Sequence, residues 1–244
     1  MAEERAASPQ PVGRSRWWLP DPEPVDEKDE DDGLMGVGAD LAVETLVDAY
    51  RRGMFPWPHA GMPLPWFSPH PRAVIVPERV HVSRSLGRRL RGSGWETTVD
   101  AAFGAVTAAC AQRKRSEGTW ITREMRRAYE RLQARGWAHS VEVWDGDDLV
   151  GGIYGVRVGA VFTGESMFHR ATDASKVALV DLCRRWSEAG GVLVDVQLPT
   201  DHLRSMGAEE LPRSVFLARL ADVRDRVVGM DTGRRPVRRL TPAR

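Results

Sequence analysis

The chain is poor in cysteine: Cys110 and Cys183 are the only two in 244 residues, far apart and in no CxxC pair. That excludes a disulfide framework and a zinc ribbon, and it suits a reducing compartment. Charge of one sign is also missing, since 35 basic and 34 acidic residues leave a formal net charge of +1. Adhesion to nucleic acid through bulk charge is therefore excluded, although a local patch is not. No apolar run is long enough to span a bilayer, and no N-terminal stretch joins a basic start to an apolar core. The expectation is a cytoplasmic protein with no membrane partner. The six histidines (His59, His70, His81, His139, His169 and His202) show no ligand spacing, so no metal is expected.

What is present is uneven. Residues 21–32 are strongly acidic with interleaved prolines, and arginines crowd the last dozen positions. Residues 1–32 and 229–244 accordingly read as disordered segments, the first acidic and the second basic. Basic groups recur between them: Arg84, Arg88, Arg89 and Arg91, then residues 113–115, then Arg123, Arg126 and Arg127. Nine tryptophans are an unusual supply of indoles, and Trp57, Trp66 and Trp120 fall in loop-like sequence beside proline or glycine. Loop indoles near arginines are suited to stacking on bases.

Periodicity predicts a helix over 43–52, ended by Gly53, and then a Pro/Trp-rich stretch over 55–71 with no regular element. Helices follow after Asp100, capped by it or by a neighbour, and after Thr122, with that residue as cap. Strands are expected over 139–144, 149–156 and 158–167, with Asp145-Gly146 as a turn signal. A helix starting at Asp173 or Ser175, a strand over 192–198 and a helix from Pro212 complete the order. The fold class is therefore α+β: a small mixed front domain over 33–80 and a larger sheet domain over 81–228.

The strand over 192–198 is the most informative segment. Alternation puts Val192, Val194, Val196 and Leu198 on one face and Leu193, Asp195 and Gln197 on the other. A carboxylate and an amide on one face of an apolar strand require partners: a site or a structural hydrogen-bond pair. Glu165 stands at the end of the preceding strand, either in the same cleft or exposed. Two glycine patterns fail on context. Gly36-Val-Gly38 follows no strand, and Gln133-Ala-Arg-Gly136-Trp-Ala138 closes a helix where a phosphate loop must open one.

Taken in order, several segments resemble the leucyl/phenylalanyl-tRNA–protein transferase family. They include Gly36-Val-Gly-Ala-Asp40, Tyr50-Arg-Arg-Gly-Met-Phe-Pro-Trp57, Trp66-Phe-Ser-Pro-His70, Gly118-Thr-Trp-Ile-Thr122, Gly164-Glu-Ser-Met-Phe168 and Asp195-Val-Gln197. Gly38-Ala39-Asp40 departs from the usual Gly-Gly-Asp, and Phe67 stands where a second Trp is common. The resemblance implies a GNAT-like C-terminal domain and transfer of Leu, Phe or Met from aminoacyl-tRNA to the N-terminal Arg or Lys of a protein. The product would be marked for N-degron proteolysis. No cofactor is implied, because the ester is already activated.

The resemblance also implies roles for individual residues. Asp195, Gln197 and Glu165 would be catalytic; Ile153, Phe162, Leu182 and Val194 would form the aminoacyl pocket. Trp57 and Trp120 would hold the terminal adenosine, and Arg84, Arg88, Arg89 and Arg91 the acceptor-stem phosphates. An amide is a very weak base, so Gln197 is expected to position the attacking amine under the influence of Asp195, with a substrate hydroxyl or water taking the proton. Val194 and Asp195 lie on opposite faces of a regular strand, so both can serve one site only through a bulge or at the strand end. Two rivals stand beside this reading. An acyl-CoA N-acyltransferase would need the phosphate loop found missing, and a non-catalytic RNA-binding protein would leave Asp195, Gln197 and Glu165 without a purpose.

Overall fold

The computed structural model describes residues 5–22, 33–59, 61–112 and 120–242. The acidic run 23–32, the basic group 113–115, and Gly118 and Thr119 lie outside these. At the front, β1 (Leu34–Val37), β2 (Phe55–Pro56) and β3 (Pro65–Phe67) form an antiparallel sheet in the order β1-β3-β2. Helix α1 (Val43–Arg51) lies between β1 and β2 in sequence. The Pro/Trp-rich stretch is thus not free of regular structure. Its strands are two and three residues long, so Pro56 and Pro65 forfeit few ladder bonds.

The main sheet has eight strands. In chain order these elements are β4 (Arg72–Ile75), α2 (Arg84–Gly92), β5 (Glu96–Val99), α3 (Phe103–Ala111), α4 (Arg123–Ala134) and β6 (Ala138–Asp145). Next come β7 (Asp148–Val158), β8 (Val161–His169), α5 (Ala174–Glu188), β9 (Leu193–Gln197) and α6 (Asp201–Ser205). The series ends with β10 (Glu209–Leu211), α7 (Arg213–Val223) and β11 (Arg235–Pro236), followed by a 3-10 turn, Val237–Leu240. Spatial order is β10-β4-β9-β8-β7-β6-β5-β11, antiparallel throughout except for the parallel pair β8 and β9. The fold is α+β, as expected. Strand β4 precedes residue 80 yet sits between β10 and β9, so the large sheet begins ahead of the expected domain boundary.

Local chemistry explains the elements that matter for the site. The Thr122 hydroxyl accepts from the Met125 amide at 3.1 Å, capping α4 as its sequence suggests. Met125, Ala128, Tyr129 and Leu132 recur at helical spacing and are buried. Asp100 does not cap α3. It has φ of 59° and accepts from the Ser140 amide at 2.9 Å, while the Glu142 carboxylate meets the Ala101 and Ala102 amides at 3.4 Å. Alternation along β7 sets the two sides of the sheet: Gly151 abuts Ala174 of α5, whereas Tyr154 stacks edge-on against Tyr129 and Phe103. Helix α5 closes one side and α3 with α4 the other.

Both terminal segments correct the expectation of disorder across their described residues. Leu19 is buried, and Ala6 donates to the Met230 carbonyl at 2.7 Å. The buried Arg157 guanidinium binds the carbonyls of Ala7, Gly136 and Val228, tying both ends of the chain to β7. At the C-terminal end β11 pairs with β5, and Val237 and Leu240 are buried. Composition suggested solvation, but Arg157, Arg185, Arg235 and Arg239 find carbonyls and carboxylates to bind.

Candidate active site

Strands β8 and β9 run side by side only from Val161↔Leu193 to Thr163↔Asp195. Beyond that point they part, and a cavity of about 390 Å³ opens between them. Gly164, Glu165, Ser166 and Met167 form its β8 wall, and Val196 and Gln197 its β9 wall. Two local irregularities aim these side chains. In β8 the register slips against β7, so that Gly155 faces Gly164 while Tyr154 faces Ser166, leaving Glu165 as the bulged residue. Gly155 is required here, because a Cβ would lie 2.1 Å from the Thr163 carbonyl. In β9, Gln197 has φ of 62° and the Leu198 amide reaches back to the Val196 carbonyl at 2.8 Å, forming a γ-turn. A left-handed glutamine costs on the order of 1 kcal/mol, and the surrounding hydrogen bonds hold it there.

Asp195 is fully buried and does not face the cavity directly. Its carboxylate takes a two-pronged bond from Arg72, Nε to Oδ1 and Nη2 to Oδ2, both 2.7 Å. It also accepts from the Thr163 hydroxyl at 3.1 Å and from the Gln197 backbone amide at 3.0 Å. Arg72 lies between the rings of Phe55 and Phe216 and donates to the Gly53 carbonyl at 3.1 Å. Gly53 has φ of +80°, and a Cβ there would strike Leu217 at 2.5 Å. Asp195 therefore positions the γ-turn through its backbone, not through the Gln197 side chain.

Glu165 is held differently. It accepts from Tyr50 at 2.8 Å and Tyr129 at 2.6 Å, and the two phenols meet at 2.7 Å. The Gln197 Nε2 group donates to it at 3.3 Å. Burial pushes the Glu165 carboxyl up to about 7; the tyrosine hydrogen bonds and Arg72 restrain the rise, and Asp195 adds to it. Both phenols are raised well above their usual value, chiefly by burial and then by Glu165, so they serve as neutral donors. Because the amide nitrogen of Gln197 is spent on Glu165, its carbonyl oxygen is left as an acceptor toward the cavity.

A second, smaller cleft of about 90 Å³ meets the first at the same two residues. Its walls are Phe55, Pro56, Trp57, Trp120 and Leu198, together with Glu165 and Gln197. Trp57 packs with Phe67 and Phe55, and Trp120 is half-buried. The expected site residues thus divide. Glu165, Gln197, Ile153, Trp57 and Trp120 converge on the two openings, while Phe162, Leu182 and Val194 are fully buried behind the cavity wall. Arg84, Arg88, Arg89 and Arg91 are exposed on α2. Among the described residues no group of three or more His, Cys, Asp or Glu is placed to hold a metal ion.

Arg72, Thr163, Tyr50 and Tyr129 were not singled out on sequence for the site. Tyr50 opens one motif and Arg72 stands two residues past the end of another, but nothing local says that each meets a carboxylate over a hundred residues away. The scarcity of tyrosine was a usable signal. The chain has three, and Tyr50, Tyr129 and Tyr154 all gather beside Glu165.

Residues 74–221 match the leucyl/phenylalanyl-tRNA protein transferase family model, and residues 39–70 match the model of that family's N-terminal domain. The leucyl/phenylalanyl-tRNA–protein transferase of Ectopseudomonas mendocina is 52% identical over 188 residues, covering 77% of this chain and 83% of that one. The transferase of Chromohalobacter salexigens is 53% identical over 189 residues, covering 77% and 74%. A GCN5-related N-acetyltransferase from Kribbella flavida aligns over 75% of this chain and 62% of its own at 13% identity, with a TM-score of 0.37, a likeness too distant to carry an argument. The chain belongs to the leucyl/phenylalanyl-tRNA–protein transferase family and is an aminoacyltransferase.

Proposed function

We propose that the chain moves leucine, phenylalanine or methionine from its tRNA ester to the N-terminal Arg or Lys of a protein in the cytoplasm, marking that protein for N-degron proteolysis. One observation carries the reading: an indole-walled cleft and a partly apolar cavity meet at Glu165 and Gln197. Such a junction suits a donor with a flat base at one end and an apolar side chain near the ester. Ile153, Met167 and Leu179 offer the side chain an apolar wall, and a wall of this kind separates one methylene from the next only weakly.

The reaction needs a neutral α-amine held against the ester carbonyl. The amine attacks the carbonyl carbon, the ribose oxygen leaves, and one proton passes from nitrogen to that oxygen. Gln197 orients the amine through its free carbonyl oxygen, with its amide fixed by Glu165 and its backbone by Asp195. Asp195 and Arg72 act as positioning residues. Proton transfer runs through water or a substrate hydroxyl, since an amide cannot take the proton.

The test is transfer of labelled leucine from Leu-tRNA to a peptide beginning with Arg, compared with one beginning with Ala. Transfer to the Arg peptide alone is expected. Gln197→Ala should lower kcat by roughly 10²-fold with little change in thermal midpoint. Transfer to neither peptide, or an unchanged kcat in Gln197→Ala, would sink the reading.

A further inference from the structure

The C-terminal segment lies outside the region matched by the family models, which ends at residue 221. Its described arginines are not equivalent. Arg234 pairs with Glu96, Arg235 with Glu188 and Asp231, and Arg239 with the buried carboxylate of Asp181. Asp181 is shared with the buried Arg185, whose guanidinium also binds the Asp231 and Gly233 carbonyls. This buried node fastens the segment to α5. Arg238 differs from Arg234, Arg235 and Arg239: it is exposed and, like Arg226, has no carboxylate partner among the described residues.

The fastened segment leads to α2. The 3-10 turn Val237–Leu240 packs against that helix, and Pro242 closes one side of a groove of about 500 Å³. Ser83, Arg84, Arg88 and Arg91 line the rest. Helix α2 has no acidic residue in its first turn, and Arg84, Arg88 and Arg91 have no carboxylate partner among the described residues. Between residues 231 and 240 the fold neutralises every arginine but Arg238. It also leaves unneutralised the three arginines that line the groove, against whose helix the turn bearing Arg238 packs.

We propose that the C-terminal segment and α2 together form a composite basic groove for the phosphate backbone of RNA, with Arg238 supplying a phosphate contact from outside the family's matched region. The inference rests on the transferase reading above for its ligand, the stem of the donor tRNA. An exposed, unpaired guanidinium held on a rigid turn meets phosphate with little ordering cost. Such contacts add affinity without sequence preference and release counterions.

The experiment measures binding of deacylated leucine tRNA to the full chain across a salt series, with Arg238→Ala and Arg234→Ala beside the unaltered protein. Both substitutions remove one charge from the same segment, but Arg234 is already engaged by Glu96. Arg238→Ala should weaken binding by about three- to tenfold at low salt and flatten the salt slope by roughly one phosphate equivalent. Arg234→Ala should change it by less than about twofold. Transfer from phenylalanyl-adenosine, which lacks the stem, should be unaltered in Arg238→Ala, showing an intact fold and site. Equal losses in both variants, or a normal slope in Arg238→Ala, overturn the proposal. So does a raised KM for the acceptor protein with normal tRNA binding, which would assign the groove to that protein. Absence of transfer by the unaltered chain, with the Arg238 effect on binding intact, would defeat the transferase reading and leave the groove standing.

Discussion

Glu142 and Glu165 are two buried glutamates, each pushed up to about 7 mainly by burial. Both are surrounded by hydroxyl donors: Ser140 and Thr98 for Glu142, Tyr50 and Tyr129 for Glu165. Their surroundings otherwise diverge. Glu142 also meets the first amides of α3 and lines none of the cavities described above. Glu165 lies on a bulge at the junction of two openings, with Gln197 beside it on the cavity wall. A perturbed acid is thus no mark of a site by itself. What distinguishes the two is an opening beside the acid and a donor that substrate can reach.

That contrast can be broken in three ways. The largest effect is expected at the support beneath Glu165. Asp195→Ala strands the Arg72 charge in the core and should cost about 3–5 kcal/mol in a urea titration. Replacing the pair together, Arg72→Met with Asp195→Leu, should recover most of that stability while transfer stays lost. Recovered transfer in the double variant would show that Asp195 has no positioning role.

Next comes Glu165→Gln. Ionised Glu165 accepts from Gln197, so kcat should rise with pH through about 7 in the unaltered enzyme. The variant should lose that limb and run about tenfold slower or worse at pH 8. A limb near 7 that persists in Glu165→Gln would assign it to another group.

The smallest effect belongs to Glu142→Gln, which should leave kcat unchanged. The folded value of about 7 lies above the ordinary glutamate value of about 4.3. Stability from this group is therefore full below pH of about 4.3 and is lost as pH rises through about 7. The variant carries no such loss, so its thermal midpoint relative to the unaltered protein should climb between pH 5 and about 8. A difference that stays flat over this window would mean that Glu142 is ionised throughout.

Much of the catalytic half was legible in the sequence, because strands and helices there are long and strongly patterned. Helices α4 and α5 and the run β6, β7, β8 and β9 follow their periodicity. Helix α2 and strands β4, β5, β10 and β11 were not foreseen. They are short, arginine-rich or glycine-broken, and they owe their conformation to tertiary pairing rather than local preference. In the site, Asp195, Gln197 and Glu165 could be singled out because polar groups on apolar strands demand partners. Which partner each would find could not. Alternation placed Asp195 and Gln197 on one face, and the γ-turn at Gln197 separates their roles, with one turned into the core and the other to the cavity. The backbone conformation that does this at a non-glycine position leaves no pattern in the residue types.

The parting of β8 and β9 has a further meaning. An open strand edge on the outside of a protein invites pairing with another molecule, and proteins guard such edges with charge or bulges. Here the two edges part inside the sheet and face each other across the cavity, with β7 and β4 paired on their other sides. The unpaired stretch therefore borders the cavity and is not a free outer edge of the sheet.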